Sequence, residues 1–163
     1  MIYLTRKRVG LFSQDSTSRR AYELYNDYWL SIKPKAPFRI VEIVEGYDFH
    51  DGKIISLSLA SKEGIHVRYL LGDLQVGYNI LQVDYIGADY TDLNTPRILR
   101  ILRDRRTEIF CSEMVLEDDG KWTHNHLLYP SGSLSITFSD LQFKINAVSA
   151  EARDYLEDPI RFS

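Results

Sequence analysis

The sequence predicts an α+β fold dominated by antiparallel strands, about eight of them in a strongly curved sheet or two packed sheets, with a β-sandwich carrying peripheral helices as the alternative. Three observations lead there. One amphipathic stretch of helical period stands near the start; the residues after it are rich in Val, Ile, Leu and Tyr; and turn residues divide them at short intervals. Length and composition fit one domain spanning 1–163. With 163 residues, 44% hydrophobic and 26% charged, such a chain buries roughly 70% of its unfolded surface and needs no disulfide or structural metal.

The first element is a helix from Thr17 to Ile32. Ala21, Tyr22, Leu24, Tyr25, Tyr28, Trp29 and Ile32 share one stripe, while Arg19, Arg20, Glu23, Asn26 and Asp27 face away. Ser16 or Thr17 caps its start, and Pro34 with Pro37 stops it. From Phe38 the pattern reads as strands: Phe38 to Phe49, Lys53 to Ala60, Ile65 to Leu71 and Leu74 to Ile86. His50-Asp51-Gly52 and Glu63-Gly64 are turns, and Gly72-Asp73 reads as a two-residue hairpin turn with glycine at positive φ. Thr95-Pro96 then opens a short helix over 96–104, with Ile98, Leu99, Ile101 and Leu102 on one side and Arg97, Arg100 and Arg103 on the other. Four further strands follow: Glu108 to Glu117, Lys121 to Tyr129, Ser133 to Phe138 and Leu141 to Ala147. A last amphipathic helix runs from Ser149 to Glu157, with Glu151 complementing the helix dipole and Pro159 ending it.

A net charge of −3 argues against a chain that coats nucleic acid. The single cysteine, Cys111, forms no intramolecular disulfide and reads as a product of a reducing compartment. The start has no apolar run of signal-peptide length, and no run approaches the length of a spanning helix. The expectation is a cytoplasmic protein without a membrane segment.

Three patches carry the functional expectations. In a strand, His124 and His126 point to one face about 6.5–7 Å apart, so the pair can ligate a divalent metal if other ligands join it. Register decides which ones. A two-residue Asp119-Gly120 turn places Glu113 opposite His126 and Cys111 opposite Leu128, assembling a site. A three-residue Asp118-Asp119-Gly120 turn places Ser112 opposite His126 and Met114 opposite His124, flanked by Phe110, Leu116, Trp122 and Leu128, which is a core. The second register collects the apolar residues better. His50 joins the histidines only if the ends of two sheets converge. The bland reading is two histidines satisfied by hydrogen bonds.

The second patch is the arginine stripe Arg97, Arg100 and Arg103, continued by Arg105 and Arg106, which suits an acidic protein surface when it is more than a solvated helix face. The third is aromatic: Tyr22, Tyr25 and Trp29 line either the helix-to-sheet contact or a small apolar-ligand pocket. No phosphate loop, dinucleotide fingerprint or nucleophile elbow occurs. The first expectation is therefore a non-catalytic module that binds a protein partner or itself, with no cofactor. A metal-assisted hydrolase built on His124, His126, Glu113 and His50 comes second, and a small apolar-ligand carrier third.

Overall fold

A computed structural model describes residues 1–9, 15–60, 64–73, 77–88, 95–104 and 106–149; of Ala60, Asp73, Thr95, Pro96, Arg97 and Arg100 only the backbone is described. The fold is α+β. The described elements are α1 (Arg6–Val9), α2 (Asp15–Ile32), a 3-10 turn (Lys33–Lys35), α3 (Phe38–Gly46), β1 (Lys53–Ala60), β2 (Gly64–Asp73), β3 (Gly77–Ile86), α4 (Thr95–Arg103), β4 (Glu108–Leu116), β5 (Trp122–Tyr129), β6 (Ser133–Phe138) and β7 (Asp140–Val148). Seven strands, not eight, are present among the described residues. They form one sheet of order β1-β2-β3-β7 and a second of order β4-β5-β6, with every pairing antiparallel.

Phe38 to Phe49, expected as a strand, contains α3 instead. Its β-branched composition suggests a strand, but Ile40, Ile43, Val44 and Tyr47 recur at three- and four-residue spacing, and Ile40 and Ile43 are fully buried on that side. The Gly72-Asp73 turn also moves. Asp73 pairs with Gly77 and Gly72 with Tyr78, so the hairpin closes over 74–76, outside the described residues. Gly72 does take positive φ (102°), and a Cβ there would lie 2.1 Å from the carbonyl oxygen of Gly77. The expected helix over Ser149 to Glu157 lies, beyond Ser149, outside the described residues.

The two sheets pack face to face. One sheet contributes Ile54, Ile65, Val67, Tyr69, Leu71, Leu81, Val83, Tyr85 and Leu141, and the other Ile109, Met114, Trp122, Leu128, Leu134, Ile136 and Phe138. At one side the sheets are clasped by backbone bonds, Asp51 N–H to the Ile109 carbonyl (2.9 Å) and Ile109 N–H to the Gly52 carbonyl (2.7 Å). At the other, the chain crosses from β6 to β7 through Ser139, whose N–H donates to the Ile86 carbonyl at 3.0 Å. Helix α2 runs along the β4 side, burying Ala21, Trp29 and Ile32. Ile98, Ile101 and Leu102 of α4 pack on the same core, whereas Leu99, expected with them, is exposed. No described helix is long and apolar enough to cross a membrane.

Candidate functional site

Strand β5 is the middle strand of the three-stranded sheet, and Trp122 to Leu128 are buried without interruption. That is the pattern of a strand covered on both faces. Each face therefore carries a buried polar layer: His124 and His126 toward the sheet-to-sheet core, Thr123 and Asn125 toward α2 and the N-terminal segment.

The loop before β5 sets this orientation. Gly120 N–H donates to the Glu117 carbonyl at 3.0 Å and Glu117 N–H to the Lys121 carbonyl at 2.8 Å, leaving a three-residue loop with Gly120 at positive φ (83°). Ser112 consequently pairs with His126 and Met114 with His124, the core register of the two weighed above.

In the inner layer the histidines meet two tyrosines from the opposite sheet. The Tyr85 hydroxyl is 2.7 Å from Nδ1 of His124, the Tyr69 hydroxyl 3.1 Å from Nε2 of His126, and the two hydroxyls 2.8 Å from each other. The result is one chain, His124–Tyr85–Tyr69–His126. Burial keeps it neutral: it lowers the His124 pKa to about 3, holds His126 well below the ordinary histidine range with help from His124 beside it, and raises both tyrosines. Phe49 packs against both imidazoles, with centroids 5.1 Å from His124 and 5.5 Å from His126. Nδ1 of His126 is buried without a hydrogen-bond partner.

Glu113 points the other way. Its carboxylate, almost fully buried, accepts the backbone N–H groups of Ile2 (2.5 Å), Tyr3 (3.1 Å) and Leu4 (2.9 Å), and the Asn125 amide at 3.4 Å. Asn125 is held in turn by Ser135, 2.5 Å away. Arg6 fixes the same segment by donating to the carbonyls of Leu128, Pro130 (3.0 Å) and Gly132 (3.4 Å). His50 is exposed, with Nδ1 3.1 Å from Asp51 and its ring against Phe110. The expected metal set of His124, His126, Glu113 and His50 is therefore not assembled, and the described residues contain no group of three or more His, Cys, Asp or Glu placed to hold an ion. Cys111 is buried with its thiol 3.7 Å from the Leu4 carbonyl, and burial pushes its pKa up to about 12.

The tyrosines of α2 have a backbone role that sequence reasoning missed. β4 is an edge strand, and its outward N–H groups at Met114 and Leu116 donate to the hydroxyls of Tyr25 (2.7 Å) and Tyr28 (2.9 Å). Tyr22 is 44% exposed, and Trp29 is buried with its indole N–H donating to Glu45 at 3.0 Å. Between α2, α3 and β4 lies a cavity of about 60 Å³ lined by Tyr25, Ile43, Val44, Tyr47, Phe49, Ser112, Glu113, Met114 and His124. Of the expected pocket residues only Tyr25 reaches it, and its volume is far below the roughly 300 Å³ at which drug-sized ligand pockets begin.

Elsewhere, His66 pairs with the Asp84 carboxylate across β2 and β3. Arg103 is exposed on α4; the side chains of Arg97 and Arg100, and the whole of Arg105, lie outside the description. Arg106 bonds locally to Asp104. Comparison with protein-family models, with curated proteins and with solved structures finds no match to this chain.

Proposed function

We propose that this chain is a non-catalytic interaction module that associates with a second copy of itself by strand addition along β7. The supporting observation is the exposure of residues 144–147 at the rim of the four-stranded sheet. β7 pairs with β3 on one side, and no described strand lies on the other. Phe143, Ile145 and Ala147 are on its core-facing side, yet the opposing sheet is one strand narrower. Phe143 is half-buried against Tyr47, Ile145 is 43% exposed and Ala147 is exposed. An edge with no described strand beside it, next to a partly exposed apolar row, is a template for a further strand.

A twofold antiparallel pairing about Ile145 brings Phe143 opposite the partner's Ala147 and Lys144 opposite the partner's Asn146, so no like charges are opposed. The central lysine of the strand, Lys144, favours a weak, reversible dimer. By contrast, the buried polar side chains Glu113, His124, Asn125 and His126 each bond to other groups of the chain. The lone buried thiol of Cys111 supports a reducing, cytoplasmic setting.

Sedimentation velocity over a concentration series is the test. The wild type is expected to move toward twice the monomer mass, and Ile145→Lys, which opposes two charges across the twofold axis, to remain monomeric. A wild type that stays monomeric to about 1 mM overturns the proposal.

A further inference from the structure

The chain His124–Tyr85–Tyr69–His126 has a direction. Both imidazoles are neutral, so each ring carries one N–H, and each hydroxyl donates once. If Tyr85 donates to Nδ1 of His124, Tyr69 must donate to Tyr85, and Nε2–H of His126 must donate to Tyr69. Both histidines are then Nε2–H tautomers. Reversing every bond makes both Nδ1–H tautomers; of the mixed arrangements, two accepting histidines break the Tyr69–Tyr85 bond, and two donating histidines leave one buried hydroxyl hydrogen without an acceptor.

The unpartnered atom selects between the two. Nδ1 of His126 is fully buried with no partner, and an orphaned N–H is rarer in proteins than an orphaned acceptor. Nδ1 is therefore bare, both rings carry the proton on Nε2, and the chain ends at His124 in a donor. His124 lines the cavity between α2, α3 and β4, and its Nδ1 is already engaged by Tyr85.

We infer that this cavity is a binding site for a small neutral hydrogen-bond acceptor held by Nε2–H of His124. A volume of about 60 Å³ corresponds to two water molecules at roughly 30 Å³ each, or to one oxygen-bearing molecule of a few heavy atoms. Neutrality follows from the walls: an N–H donor repels a cation, and among the described residues no Lys or Arg lines the cavity to hold an anion.

The test is long-range ¹H–¹⁵N correlation of the histidine rings in the full chain, with formamide as the probe and a high-resolution crystal structure as the second measurement. Both His124 and His126 are expected as Nε2–H tautomers. A saturable formamide shift at His124, absent in Val44→Phe, whose ring fills the cavity, identifies an organic acceptor. No shift, with ordered water at Nε2 in the crystal, identifies water. Two different tautomers, His124 as Nδ1–H, or an empty cavity by both measurements overturns the inference, and the tautomer result stands on the wild type even if Val44→Phe fails to fold.

Discussion

At His124 the imidazole lies among Phe49, Tyr85 and His126, almost wholly removed from solvent. A proton added there loses its hydration and finds no carboxylate, which is why burial is the sole cause of the shift to about 3. The sign for stability follows. An unfolded histidine titrates near 6.5, so between that value and the folded one the unfolded chain binds protons that the folded chain refuses. Stability is therefore fully present above about pH 6.5 and falls as pH drops, by up to about 1.4 kcal/mol per pH unit for each histidine. Urea unfolding between pH 6 and 5, where few carboxylates titrate, is expected to show a slope larger than one histidine can produce. His124→Phe should remove about half of it; equal slopes in the two proteins would show that His124 is not held neutral. Glu113 shows a different solution at a buried position of the adjacent strand: its carboxyl oxygens accept three consecutive backbone N–H groups of the N-terminal segment, which replace the hydrogen bonds lost with water.

On α2 and β4 an edge strand is protected by side chains instead of by another strand. Tyr25 and Tyr28, one helical turn apart, meet N–H groups two residues apart on β4, so the helix stripe matches the strand's outward-facing row. Removing either hydroxyl leaves a part-buried N–H without its partner, a loss of about 1–3 kcal/mol. Tyr25→Phe is expected to lower the unfolding free energy measured in urea by that amount and to speed amide exchange at Met114 while leaving Leu116 protected, and Tyr28→Phe to speed exchange at Leu116 while leaving Met114 protected. Exchange that changes uniformly along β4 would mean the hydroxyls act only through global stability. The helix stripe itself was legible in the sequence, because 3.6-residue periodicity is local; its destination was not. The same division runs through the strands. Strand positions follow from turn residues and composition, and the β4–β5 register followed from which face collects apolar side chains. The β2–β3 register did not, since Gly72 and Asp73 pair with Tyr78 and Gly77 instead of forming the turn. An odd shift between the two readings inverts one strand relative to the other. With it, Tyr69 and Tyr85 fall on opposite faces and the Tyr–His chain vanishes, as does the His66–Asp84 pair. α3 was missed because Ile and Val outweighed a helical spacing present over nine residues.

Across the whole molecule, the two sheets are joined by apolar packing, by the Gly52–Ile109 clasp and by the hydrogen bonds of Tyr69 and Tyr85 to His126 and His124. The last of these makes the sheets specify each other. Apolar side chains tolerate sliding, whereas a chain of four single donors and acceptors is satisfied only in one relative placement. Cooperativity along the chain is measurable. Tyr85→Phe removes two bonds at once, to His124 and to Tyr69, and is expected to destabilise by about 2–3 kcal/mol; Tyr69→Phe breaks two of the same three links. Because the Tyr69–Tyr85 bond belongs to both losses, the double variant should be less destabilised than the two singles together, by about 1 kcal/mol. Urea unfolding of the four proteins gives the coupling directly. Strict additivity would mean that each tyrosine bonds its histidine independently, so that the sheets are registered by two separate contacts and the proton order deduced for His124 and His126 loses its basis. A coupling of the expected size would instead make the hydroxyl pair the hinge of the polar core, through which the protonation geometry at the α2–α3 cavity depends on β2 and β3 in the opposite sheet.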